Sequence, residues 1–576
     1  NVEFSTGYDV TSYNKMIPLQ TLYAQGNNGV YQGPASGQSR SWGPLLSDLV
    51  YNPEIPNPFD KNGSIVSKSA YPNGKPVTAY NNIDDFFQNG SNWTNALALS
   101  GGNDLGTFRL SMGYDKSNGI VPNNTFAKGN IGINGDMQVS SKFKVSAGAT
   151  YINSGGTRIE QGSNTSGVML GLTRTPPSFD NSNGLGEDAV DDESSYLFPS
   201  GAQRNYRGGG GYDNPFWTVN RNPLKDRVNR LIGNIGLTYT FTDWLNLSYK
   251  LGNDFYSDRR KQFFAIGSRA AALGRVIEDQ YFNSKFNADL ILRADKQITD
   301  DLRIGGLIGH NMRSTRGQRL YNQGDNLTIP GFYHLSNAST ITTRESISRS
   351  RDMAVYATLE ADFMRAFYLT LTGRNEWTTT LPEGGNSFFY PSASLGIVFT
   401  ELAGLSDNKF FPYGKIRASW AKVGLGSPFL YATANYYTSS IASDGWTDGV
   451  AFPYAGLSGF ESSDVLGDPN LKPESRTEFE IGLETKFFNG RLGFDATYYS
   501  GESVDLIFPV PVARSSGYSS IVTNSGRMTN KGWEIVLSAT PVRTGSGFNW
   551  DVEYVFTRNR NVVEELAEGV PTIILG

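Results

Sequence analysis

An all-β fold, a large antiparallel β-barrel that spans a membrane, is what this sequence predicts, on three observations. Apolar and polar residues alternate with period two in segment after segment, and each return strand keeps its apolar residues on the face set by the strand before. Connections alternate between short turns and long polar loops. The chain has 576 residues, 13% of them aromatic, a mean hydropathy of −0.37 and no apolar run long enough for a transmembrane helix. A barrel needs no such run, because half of its strand residues face a polar interior.

The clearest element runs from Thr477 to Ser500. Asn489-Gly490 is a hairpin signal, since a type I′ turn needs positive φ at both central residues. With those two as the loop, Phe488 faces Arg491. Counting outward, Phe487 meets Leu492, Thr485 meets Phe494, Leu483 meets Ala496 and Ile481 meets Tyr498. The other face pairs Lys486 with Gly493, Glu484 with Asp495 and Gly482 with Thr497. Each arm is about ten residues, enough to cross a hydrocarbon layer at a barrel tilt.

The unit recurs from the first residues onward. Asn1 to Val10 reads as a strand. Asn95 to Leu99 turns at Gly101-Gly102-Asn103-Asp104 into Phe108 to Tyr114, and Ile131 to Val139 turns at Ser140-Ser141-Lys142 into Phe143 to Tyr151. Ile235 to Phe241 returns through Asp243-Trp244 as Leu245 to Leu251, and Phe286 to Leu292 pairs with Leu302 to Ile308. Val355 to Phe363 turns at Met364-Arg365-Ala366 into Phe367 to Leu371, and Leu395, Ile397 and Phe399 lead by a longer segment to Ile416, Ala418 and Trp420. Trp533 to Ala539 turns near Thr544-Gly545 into Phe548 to Phe556. The long connections are read as Thr11 to Asn92, Asn153 to Arg227, Ser257 to Gln280, Met312 to Ser350, Gly424 to Glu474 and Gly501 to Met528. Trp244, Trp377, Trp420 and Trp550 sit near strand ends, as an interfacial aromatic girdle requires.

This gives roughly 17 strands, an odd number where single-chain bacterial barrels are even. A plugged barrel of about 22 strands would leave about five to find. The first residues already belong to a strand, and Thr572-Ile573-Ile574-Leu575-Gly576 carries no clean final strand. The expectation is therefore that residues 1–576 form part of a barrel with long extracellular loops, with plug and last strands outside this sequence. A soluble propeller or sandwich series would also alternate, but neither explains the asymmetry of loop lengths or the lack of a fixed blade period.

Composition narrows the function. A net charge of −5 argues against a nucleic-acid partner, and zero Cys removes disulfides, thiol nucleophiles and Cys-ligated metals. His310 and His334 are the only histidines, read as lumen or loop residues rather than ligands. No metal site and no cofactor is predicted. Glu187, Asp188, Asp191, Asp192 and Glu193 lack the spacing of a calcium loop and read as a solvated acidic stretch,. Gly208 to Gly211 lacks the Lys-Ser/Thr of a phosphate loop and reads as a flexible loop tip,. No Gly-x-Ser-x-Gly elbow and no triad is visible, so no enzyme is predicted,. The expected faces are Leu483, Phe487, Phe494, Leu537 and Val552 toward lipid, and Glu480, Glu484, Asp495, Glu534 and Asp551 toward the lumen. Trp42, Tyr206, Trp217, Tyr436 and Tyr437 are the loop aromatics that could meet a substrate or partner,.

Several loop motifs, taken in order and spacing, carry a resemblance. They are Ser41-Trp42-Gly43-Pro44, Asp85-Phe86-Phe87-Gln88-Asn89-Gly90, Asn118-Gly119-Ile120-Val121-Pro122-Asn123, Asn214-Pro215-Phe216-Trp217, Leu471-Lys472-Pro473-Glu474 and Asn530-Lys531-Gly532-Trp533-Glu534. In these the chain resembles the barrel portion of the SusC/RagA-like family of TonB-dependent outer-membrane transporters of Bacteroidetes. The resemblance implies an active importer of oligosaccharides or peptides in the cell outer membrane. It also implies a SusD-like surface lipoprotein as lid and energy delivered by TonB through an N-terminal segment. A passive porin, or a non-transporting scaffold or adhesin, is the other reading open to a barrel.

Overall fold

The computed structural model describes residues 1–160, 167–442 and 450–567. Its frame is one sheet of 17 strands. In chain order these are β1 (Val2–Thr11), β2 (Gly90–Asn103), β3 (Gly106–Asn118), β4 (Thr125–Ser140), β5 (Phe143–Arg158) and β6 (Leu224–Thr242). Then come β7 (Leu245–Phe264), β8 (Arg275–Thr299), β9 (Leu302–Leu327), β10 (Ala338–Phe363), β11 (Phe367–Thr378) and β12 (Ser387–Val398). The last are β13 (Tyr413–Leu425), β14 (Glu474–Phe487), β15 (Leu492–Val504), β16 (Arg527–Arg543) and β17 (Asn549–Glu565). Each strand pairs antiparallel with the next in the chain, so the wall is a continuous meander.

Register carries one apolar face round the wall. Phe4, Leu97, Met112, Ile131, Tyr151 and Leu231 are successive cross-strand partners. So are Ile235, Leu251, Ala288, Met312, Met353 and Trp377. Ile397, Ile416, Leu483, Ala496, Ile535 and Phe556 form a third row. Many large side chains on this face are exposed rather than packed, Phe4 to 68% and Met353 to 47%. A water-soluble sheet would bury that face; an apolar band left open is the surface that lipid covers.

The opposite face is concave and polar. Arg417 on β13 holds Asp495 on β15 at 2.6 and 3.0 Å, reaching over Gly482 of β14. Tyr356 on β10 reaches Asp289 on β8 over Gly309 of β9. Contacts that skip a strand need a face curved toward them. A β-carbon at Gly482 would lie 2.5 Å from Arg417 Nε, and one at Gly309 2.2 Å from Tyr356. Those glycines are there because a partner side chain occupies the space.

Three expectations change. The Thr477–Ser500 pairs from Phe487↔Leu492 outward are as read, but Phe488 and Arg491 do not pair in the ladder. Phe488, Asn489 and Gly490 all have positive φ, and the Phe488 and Asn489 amides donate to Phe410 and Lys409 carbonyls of the neighbouring turn. The turn is widened by that docking. The β2–β3 turn lies at Asp104-Leu105, with Asn103 paired to Gly106, because Asn103 Oδ1 accepts from the Leu105 and Gly106 amides. Phe399 leaves the strand and opens a short helix, Phe399–Leu402.

The loops Ser257 to Gln280 and Met312 to Ser350 are largely strand. Strands β8, β9 and β10 reach 25, 26 and 26 residues, and the remaining connections are residues 265–274 and 328–337. About ten residues suffice to cross the hydrocarbon, so these strands continue well beyond it. Past the membrane both faces meet water, the apolar period stops, and the sequence signal stops with it. His310 lies on the convex face between Ile308 and Met312, opposite Leu290 and Val355, not on the polar side. The stretch Thr572 to Gly576 lies outside the described residues.

Candidate substrate-facing cap and inner wall

The buried core of this molecule lies in its long loops. Residues 12–89 and 167–223 join the 265–274 connection around Phe86, Val168, Leu172, Tyr196, Phe216 and Trp217. A second core holds Leu46, Leu49, Tyr51, Ile65 and Val77. A third gathers Leu381, Leu471, Ile507 and Val522. The loop motifs account for these cores. Asn214 caps helix α1 (Pro215–Arg221) through the Phe216 amide, Pro215 starts it, and Phe216 and Trp217 fill the first core,. Leu471 anchors the third, where Glu474 accepts the Ile507 amide. Gly532 lies under Tyr499, whose hydroxyl would sit 2.3 Å from a β-carbon there.

Between the apolar cores runs a polar network that the motifs did not reveal. Asp213 accepts from Gln203 Nε2, Ser268 Oγ and the Arg269 amide at 2.7–2.8 Å and from Asn222 Nδ2 at 3.2 Å. Burial pushes its carboxyl above the ordinary range, and those donors oppose the shift. Arg204 is fully buried; its guanidinium donates to the carbonyls of Asp180, Ser195 and Phe59 and lies over the Phe179 ring. Burial lowers its pKa to about 10, so it stays charged at neutral pH. The density of Asn, Asp and Gln in residues 178–222 was the one hint, since such side chains tie loop backbone together.

The loop aromatics divide. Trp42 is 60% exposed and Tyr437 77%, with Tyr436 also exposed, whereas Tyr206 (2%) and Trp217 (3%) are inside the cap. Tyr206 and Trp217, expected as contact aromatics, are instead packed inside the cap: Tyr206 stacks on Tyr212 and Trp217 packs edge-on to Tyr196. Gly208 to Gly211 is no free tip, because a β-carbon at Gly208 would lie 2.4 Å from the Pro34 carbonyl. Pro177 likewise is tied down by the Tyr80 amide. In the acidic stretch Asp192 caps Ser194 and Glu193 pairs with Arg221. Among the described residues no three His, Asp or Glu side chains converge as metal ligands.

On the inner wall, Glu480, Glu484, Asp495, Glu534 and Asp551 share the concave face by register and alternation. Leu483, Phe487, Phe494, Leu537 and Val552 share the convex one. Higher up, Arg319 grips Asp279 through two bonds of 2.8 and 2.9 Å, and Tyr281 lies between the Arg260 and Arg319 guanidiniums. The inner wall is thus lined by paired ions and hydroxyls.

Residues 170–572 match the family described as TonB dependent receptor-like, beta-barrel. The chain belongs to that family. Among curated proteins it is 23% identical to TonB-dependent receptor P3 of Formosa agariphila, over 84% of this chain and 47% of that one. It is also 23% identical to TonB-dependent receptor SusC of Bacteroides thetaiotaomicron, over 84% of this chain and 48% of that one. The chain thus spans about half the length of the curated relatives it matches. Among solved structures, that of the RagAB peptide transporter superposes with a TM-score of 0.79 at 16% identity, covering 99% of this chain and 62% of that one. The fold is that of an outer-membrane TonB-dependent receptor barrel, and the SusC/RagA-like resemblance holds.

Proposed function

We propose that this chain is the wall and extracellular cap of an outer-membrane active importer that works with a SusD-like surface lipoprotein. The observation that carries the reading is an ordered, polar-cored cap above a concave wall of ion pairs, in a chain of this family. A barrel this wide must be plugged or leak. The cargo is an oligosaccharide or a peptide, the latter being what the RagAB structure is named for. Exposed Trp42, Tyr436 and Tyr437 are the aromatics placed to meet cargo or lid, and Glu480, Glu484, Asp495, Glu534 and Asp551 face the lumen. TonB would act through a segment N-terminal to the barrel. No catalytic role is assigned.

The test is nutrient uptake by a strain deleted for the gene, complemented with wild type or with a version lacking its TonB-binding segment. Active import requires that only the wild type restores uptake. Equal uptake by both would favour a passive pore, and restoration by neither a scaffold or adhesin.

A further inference from the structure

The cap contains a polar cavity of about 250 Å³ that the cores and the wall do not explain. Its lining joins the 51–80 segment to the 180–204 segment: Tyr51, Asp60, Lys61, Lys75, Tyr80 and Arg204 carry its chemistry, with Asp180 and Asn183 beside them. It is smaller than the ~300–1,000 Å³ of a drug-sized site, so it takes one ring rather than a chain.

The floor is buried and arranged. Tyr51 and Tyr80 share a 2.9 Å bond, and the Tyr80 hydroxyl donates to Asp60 Oδ2 at 3.2 Å. Asp60 Oδ1 accepts from the Asn62 amide and side chain, and Asp180 from Ser182 and the Gly184 amide. Burial pushes the Tyr80 phenol up to about 12 and Tyr51 higher, so both are neutral. A carboxylate has about four lone-pair sites, so Asp60 and Asp180 each keep acceptor capacity. Arg204 completes the floor, and its Nε is buried without a hydrogen-bond partner.

The mouth is cationic. Lys61 and Lys75 are exposed, and each spends one bond, on the Gly184 carbonyl and on Asn62 Oδ1. Gly184 leaves room for the Lys61 ammonium, since a β-carbon there would sit 2.1 Å from Nζ. An ammonium has three donors, so both retain free N–H groups. The lining therefore offers acceptors deep inside and surplus positive charge at the entrance. A bare carboxylate would meet Asp60 and Asp180. A neutral sugar would leave the lysines unused. A ring that turns hydroxyls to the aspartates and one carboxylate to the lysines satisfies both.

We infer that this cavity is a subsite for a uronic-acid-type sugar unit of the cargo. The inference rests on the import reading and narrows its cargo to acidic glycans. The test is calorimetric titration of the purified full-length protein with glucuronate, glucose and alanyl-alanine. Glucuronate should bind at least about tenfold more tightly than either of the others. The double variant Lys61→Gln/Lys75→Gln should bring glucuronate down to the glucose level, and Tyr80→Phe should weaken both sugars together. Circular dichroism and limited proteolysis identify which variants keep the cap folded. Equal affinities for glucuronate and glucose, equal binding of alanyl-alanine, or an unaffected folded double variant would each overturn the inference. Glucuronate binding without TonB-dependent uptake would remove the import reading and leave the subsite. Uptake without glucuronate binding would do the reverse.

Discussion

At the scale of single residues, the cap depends on two buried charged side chains with different chemistry. Arg204 satisfies three backbone carbonyls from segments far apart in sequence, those of Phe59, Asp180 and Ser195. Arg204→Met keeps much of the volume but leaves those acceptors dry, at a cost of about 3–5 kcal/mol. The expected outcome is rapid proteolysis within residues 50–80 and 180–204 while the barrel stays resistant; an unchanged digestion pattern would refute it. Asp213 gives a pH dependence. Its folded pKa is raised by burial above the unfolded value, which is about 3.9. Its contribution to stability is thus full below that unfolded value and is lost as pH rises through the folded pKa. Hydrogen exchange of residues 203–222, corrected for intrinsic rates, should show protection falling over that window, and Asp213→Asn should remove the slope.

At the scale of elements, the β14–β15 hairpin tests which face meets lipid. Counted from the turn after Phe487, a roughly ten-residue crossing would put Leu483 near its middle, where Leu483→Arg should cost about 2–4 kcal/mol in folding into bilayers, and Glu484→Gln much less,. Gly482→Leu should also destabilise, because its side chain would enter the space of the Arg417 guanidinium and break the Arg417–Asp495 pair. Urea titration of refolding into vesicles ranks the three; Glu484→Gln matching Leu483→Arg would reverse the assignment of faces. This hairpin was legible because inside the membrane each side chain has one of two environments, and period two records which. The ladders above the membrane were not legible for the same reason. Residues 315–325 and 340–350 face water on both sides, so their strands leave no alternation to read. Trp217 shows a third case. It fills a core, so reading it as an aromatic that could meet substrate or partner mistook packing for presentation. The polar hub at Asp213 was hidden because its partners Gln203 and Asn222 are ten and nine residues away along its own connection and Ser268 is in a second one, and only the fold brings them together.

At the scale of the whole molecule, the distribution of apolar surface is inverted, with exposed aliphatic rows on the strands and cores in the loops. The tryptophans among the described residues sample both regions. Trp420 pairs with Ala393 and Phe479 on the convex face, and Trp533 lies on the same face against the Tyr498 ring at 4.9 Å. Trp217 is enclosed in the cap, and Trp42 faces solvent there. An indole at the lipid boundary is what an interfacial girdle consists of. In variants that keep one tryptophan each, reconstituted in vesicles with brominated acyl chains, Trp420 and Trp533 should be strongly quenched. Trp42 should be quenched by aqueous iodide and not by bromine, and Trp217 by neither. The contrast between Trp533 and Trp217 decides the matter, because both are large apolar side chains next to a tyrosine ring and only their surroundings differ. Bromine quenching of Trp217, or its absence at Trp420 and Trp533, would mean that the exposed rows do not face lipid and that the wall is not set in the membrane as described.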